Sequence, residues 1–285
     1  MNRTAAALLT TAALLLSLGA CSSEEPSKDG PLVLSPAAAG GQATRAPAGD
    51  GTRATADGYA MTGVHLPAVS RPGEVSFRIV DRSGKPVTTY QPEQTKLLHL
   101  YVVRDDLAQL RHVHPELGGD GTWRGRVDLG DPGRWRVVAE FIPQRSERPV
   151  VLGTAVDVPA SRRAGAVPDV ARTAADDGLV RARLLGDGEV GANGKLRLAV
   201  TTSQGDPVQL GSYLGATAHL TGFAIGTRGF VHVHPLGEPD DTKDGTVLTF
   251  HTTFDRPGDY RLFVQVRVDG LLHQLAVTAK VRAVS

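Results

Sequence analysis

Leu98-His99-Leu100, followed by His112-Val113-His114-Pro115, recurs as Ala218-His219-Leu220, followed by His232-Val233-His234-Pro235. In both copies 13 residues separate the first histidine from the second, and the copies lie 120 residues apart. The flanks repeat as well. Asp57-Gly58 matches Asp177-Gly178, and Gly84-Lys85-Pro86-Val87 matches Gly205-Asp206-Pro207-Val208. Asp120-Gly121-Thr122 matches Asp244-Gly245-Thr246, and Pro132-Gly133-Arg134-Trp135 matches Pro257-Gly258-Asp259-Tyr260. A small drift in offset fits an insertion between Glu238 and Lys243. The chain therefore carries one unit twice. We place the first copy at residues 58–159, a linker at 160–176 and the second copy at 177–285.

Each copy reads as β-structure. Val75–Val80, Lys195–Val200 and Arg134–Val138 alternate apolar and polar residues, the period of a half-buried strand. Asp269-Gly270 between two strand-like runs is a two-residue hairpin signal. No amphipathic helix of useful length occurs in either copy. About seven short strands per hundred residues predict an all-β protein of two tandem β-sandwiches, immunoglobulin-like or cupredoxin-like.

Composition narrows the function. The 285 residues carry 31 Lys+Arg against 30 Asp+Glu, a net charge of +1; a nucleic-acid partner would call for a basic excess. With one cysteine, no intrachain disulfide, Cys-rich zinc site or iron–sulfur cluster is possible. That cysteine ends Leu18-Gly19-Ala20-Cys21, after Arg3 and an uncharged run from Ala5 to Ala20. The run is too short for a bilayer-spanning helix and has the form of a signal peptide, residues 1–20. The Leu18–Cys21 stretch resembles the bacterial lipobox, which implies lipid attachment at Cys21 and residence on the outer face of the cell membrane. Residues 21–57, rich in Ser, Glu, Pro, Ala and Gly, read as a flexible tether.

The histidines are the candidate site. Residues two apart on a strand share a face, so His112 and His114 project together, as do His232 and His234. A two-residue turn at Asp105-Asp106 sets His99 opposite His112. A turn at Ile225-Gly226 does the same for His219 and His232. A turn longer by two residues keeps the facing, and one longer by a single residue reverses it. Three neutral imidazoles on one hairpin suit Cu(II), Zn(II) or Ni(II). Blue-copper chemistry is poorly served without a nearby Cys or Met. The candidate metal ligands are His99, His112 and His114 in the first copy, and His219, His232 and His234 in the second. His273 is added to the second set as a histidine on an apolar face, opposite Val266. The first copy has no histidine at the matching place, near Gly153, but could borrow His65. The plainer reading of the paired triads is shared ancestry, with histidines stabilising strand ends and hairpins.

Taken together, His-Leu, His-Val-His-Pro, Asp-Gly-Thr and Pro-Gly-x-Trp/Tyr-Arg resemble secreted or lipid-anchored bacterial β-sandwich proteins of the YtkA-like and heavy-metal-binding type. Gly211–Ala216 strengthens the likeness in the second copy, and the Ala- and Arg-rich composition fits an actinobacterial type. The resemblance implies an extracytoplasmic, immunoglobulin-like fold. The expected function is a lipid-anchored binding protein that sequesters or delivers a divalent transition metal, copper favoured, with Cu(II) or Zn(II) as the bound ion. The alternative is an envelope interaction or structural protein whose histidines stabilise the hairpins. No nucleophile elbow, phosphate-cradling glycine loop or cofactor fingerprint points to an enzyme.

Overall fold

A computed structural model describes residues 46–69, 71–159 and 172–283, with the backbone alone for Ala192, Asn193, His232 and His234. The expected signal peptide, Cys21 and most of the expected tether and linker lie outside the described residues. All described residues belong to one compact unit, Pro36–Ser285. Among them every helix or strand element is a β-strand, and the strands form two sandwiches in tandem, as the repeat predicts.

In the first sandwich, one sheet holds Thr55–Ala56, Tyr59–His65, Gly73–Val80, Thr122–Val127 and Glu116–Leu117. The other runs Val150–Val158, Gly133–Pro143, Leu98–Arg104, Leu110–Val113. Phe77, Ile79, Trp123, Trp135 and Phe141 fill the space between them. In the second sandwich the two sheets are continuous, because Phe230–Pro235 pairs with both Ala218–Ala224 and Gly245–Phe254. The matching stretch of the first sandwich breaks at His114-Pro115 into two short strands, one per sheet. Leu198, Phe250, Phe254, Leu262 and Val264 lie in the second core.

A third apolar cluster joins the two sandwiches. Tyr101, Val103, Leu107, Leu110, Val138 and Val151 come from the first, and Phe223, Phe230 and Phe263 from the second. The strand that bears His99 is thus covered on both faces. Every residue of Leu98–Arg104 is buried, and up to Val103 its sequence is accordingly a continuous apolar run broken by one histidine rather than an alternation.

Three expectations are corrected. The turn after Leu98–Arg104 has four residues, Asp105 to Ala108, closed by the Arg104 N–H donating to Gln109 O at 2.9 Å. His112 therefore lies opposite Tyr101 rather than His99. The second copy shifts identically, with His232 opposite Thr221 rather than His219. Each shift is two residues, so the faces are preserved.

The tether ends earlier than composition implies. Ala48 N–H donates to Pro149 O, Val151 N–H to Ala48 O (both 2.8 Å) and Gly153 N–H to Arg53 O (2.7 Å), so this segment covers the Val150–Val158 strand edge. Its backbone groups hold it there, with only the small side chains of Ala48 and Ala56 reaching the core. Gly153 is required at this crossing, since a Cβ would stand 1.9 Å from Gly51 O. The expected linker likewise gives up Ala174–Asp176 to a strand paired with Val180–Leu184.

Candidate metal centre

His99 sits near the start of its strand, His112 near the end of the adjoining strand, and His114 at the crossover toward the opposite sheet. Their rings converge. His99 Nδ1 stands 3.1 Å from His112 Nε2 and 3.2 Å from His114 Nε2. One nitrogen from each of the three lies within 4.8 Å of the others. Tetrahedral bonds of about 2.0–2.1 Å to one metal ion put its ligand nitrogens roughly 3.3 Å apart. The two short separations match that spacing.

The outward nitrogens are also engaged. His99 Nε2 lies 3.0 Å from Glu93 O. A carbonyl only accepts, so this nitrogen carries the hydrogen and Nδ1 turns its lone pair inward. The Glu93 carbonyl is presented by a tight hairpin, Glu93 and Lys96 exchanging backbone hydrogen bonds of 2.8 and 2.9 Å. The turn residues Gln94 and Thr95 hold φ of 45° and 69°, a left-handed conformation uncommon for a β-branched residue. The second copy repeats the device: Tyr213 and Ala216 bracket a turn, and His219 Nε2 donates to Tyr213 O at 2.8 Å.

Burial keeps His112 and His114 neutral. Burial pushes His112 well below the usual imidazole range, and His114 and His99 beside it add to the effect, opposed by the hydrogen bond that His112 Nδ1 makes to Gln265 Oε1. Burial, then His99 and Lys96, holds His114 down to about 3. Neutral rings are the metal-binding form.

The second sandwich contributes directly. His112 Nδ1 meets Gln265 Oε1 at 2.8 Å, and the His112 and His219 rings are 6.1 Å apart. Tyr101 stacks on His112 at 4.6 Å and donates its hydroxyl to Glu140 at 3.3 Å. Glu140 is paired in register with His99 as Gln265 is with His219, so the two polar residues occupy equivalent positions. They are the residues the sequence reading missed. The available signal was a polar side chain inside two equivalent apolar runs, Val137–Phe141 and Leu262–Val266.

The remaining candidates fall elsewhere. His232 keeps the repeated register, but its ring and that of His234 are outside what is described. His273 pairs with Val266 as expected, and its Nδ1 lies 2.7 Å from Asp177 Oδ2, away from the triad. By register its counterpart in the first sandwich is Val150 opposite Phe141, rather than Gly153. His65 is exposed on the other sheet, opposite Ser76.

The family model described as "Domain of unknown function (DUF8832)" matches residues 54–157 and again 173–283. No curated protein matches the chain. Among solved structures, InvD of Yersinia pseudotuberculosis aligns over 75% of this chain and 54% of its own, at 12% identity and TM-score 0.23. Invasin, a bacterial integrin-binding protein, aligns over 79% and 39%, at 18% identity and TM-score 0.22. Titin A168–A169 aligns over 75% and 92%, at 11% identity and TM-score 0.18. The chain thus spans about half of InvD and less of invasin, and at these scores none of the three carries an argument about function.

Proposed function

The chain belongs to DUF8832, a domain of unknown function, in both of its halves, and we propose that it is a binding protein for a divalent transition-metal ion, held by His99, His112 and His114. One observation carries the reading. The inward lone pair of His99 Nδ1 faces two further imidazole nitrogens at 3.1 and 3.2 Å, a cluster that a cation satisfies better than any neutral arrangement. Three imidazoles with no thiolate suit Cu(II) or Zn(II), copper favoured, and leave a fourth position for water or a donor from a partner. The work is sequestration or delivery rather than catalysis. The Leu18–Cys21 lipobox likeness supports a position on the outer face of the membrane through lipid on Cys21.

Calorimetric titration of the full chain with Cu(II) and with Zn(II) tests this. Tight binding that His99→Ala/His112→Ala abolishes is expected. Equal heats from the double variant and the parent chain would end the reading.

A second reading rests on the same histidines as cement. Their rings sit at the junction of the two sandwiches, with the outward nitrogens of His99 and His219 anchored to hairpin carbonyls. On this reading the chain is an envelope interaction or structural protein. It predicts that His99→Ala and His219→Ala each lower the melting temperature in chelator-treated samples. Unchanged metal-free melting would count against it.

A further inference from the structure

Gln265 and Gln274 are cross-strand partners in the second sandwich. Gln274 Nε2 donates to the backbone carbonyl of Leu110 in the first sandwich at 3.1 Å. That carbonyl only accepts, so it fixes which way the Gln274 amide points and turns Gln274 Oε1 to Gln265. Gln265 Nε2 donates to Gln274 Oε1 at 3.1 Å. The Gln265 amide is fixed in turn, and its Oε1 faces His112 Nδ1 at 2.8 Å. His112 must then hold its hydrogen on Nδ1 and present the Nε2 lone pair to His99.

We infer that Gln265 of the second sandwich is a positioning residue for the metal centre of the first, setting the tautomer of His112 through the Leu110–Gln274–Gln265 relay. With both outward nitrogens committed, two lone pairs meet at 3.1 Å. The ring of His114 can supply one hydrogen, which leaves the His99–His112 contact bridged only by a cation. The docked second sandwich thus completes a site whose ligands all come from the first. It also links the two events: metal binding favours docking, and undocking lowers affinity. This deepens the metal reading and depends on it for its effect on affinity.

The test compares Zn(II) affinity in the full chain for the parent, Gln265→Leu and Gln265→Glu, together with nitrogen-15 NMR of the His112 ring in the metal-free parent. Loss of an orienting partner lowers metal affinity about 10–100-fold, so Gln265→Leu is expected to bind that much more weakly. Gln265→Glu, which keeps an acceptor, is expected to bind at least as tightly as the parent, a rescue that a merely structural role would not produce. The NMR spectrum is expected to show the Nδ1–H tautomer. Parent-like affinity in Gln265→Leu overturns the inference, as does an Nε2–H tautomer in the parent. A parent chain that takes no Zn(II) or Cu(II) but shows Nδ1–H sinks the metal reading and leaves the relay standing.

Discussion

Replacing Phe223 by alanine separates a coupled pair of sandwiches from two independent ones. Phe223 is fully buried in the cluster between them, its ring 5.7 Å from Phe230 and 6.4 Å from Phe263. A buried aromatic side chain covers about 150–250 Å², which at about 25 cal/mol per Å² is roughly 4–6 kcal/mol of transfer free energy. Phenylalanine-to-alanine changes in cores cost about 3–5 kcal/mol. The lower end is expected here, because the two sheets can close partly over the gap. The two tryptophans, Trp123 and Trp135, both lie in the first core. Their fluorescence during urea unfolding therefore reports the first sandwich alone, while circular dichroism reports both. Phe223→Ala lies in the second sandwich, yet it is expected to lower the midpoint of the tryptophan transition as well. An unchanged tryptophan transition, or a total loss below about 1 kcal/mol, would refute the account of the interface.

Three further outcomes follow from the geometry. His114 takes a proton only near pH 3, and His112 is also shifted down, whereas their unfolded counterparts protonate near 6.5. Between those values the unfolded chain binds more protons, so metal-free stability should fall as pH drops from 7.5 to 5; a flat or rising urea midpoint contradicts this. Burial pushes the Asp177 carboxyl up, but Val180 N–H and His273 outweigh it and hold the group below its ordinary range. His273→Ala should cost about 1–3 kcal/mol in urea unfolding and leave metal uptake unchanged; lost uptake would make His273 a ligand after all. Gly153→Ala puts a methyl into the Gly51 carbonyl, so it should cost about 1–3 kcal/mol and expose residues 46–57 to protease; parent-like resistance to cleavage would contradict the crossing.

Much of this architecture was legible in the chain. Repeated turn residues, and histidines that recur at one spacing, reveal two sandwiches, and Asp269-Gly270 adopts the left-handed turn it announces, with φ of 50° and 79°. The register of the histidine hairpin was not legible. Leu107 takes φ of 59° and is 1% exposed, because it belongs to the apolar cluster between the sandwiches. Tertiary packing acts there together with a local turn in which Asp106 Oδ1 accepts from the Ala108 N–H at 3.0 Å, and no Asn-Gly or Asp-Gly marks it. The triad survived the error because the slip was even. Gln265 stands out in the chain only as a polar residue in an apolar run; its role is hidden because its partner His112 is 153 residues away, across an interface that no local pattern encodes. Residues 46–57 were misread because composition registers apolar burial and is blind to backbone pairing at a sheet edge.

The central claim is that three imidazole rings of the first sandwich share one metal ion. X-ray absorption at the zinc edge, on the full chain loaded with one equivalent of Zn(II), measures that directly. The account predicts a first shell containing three imidazole nitrogens at about 2.0–2.1 Å, losing one imidazole in His112→Ala. A shell of oxygen donors alone, or one that His112→Ala leaves unchanged, would contradict it.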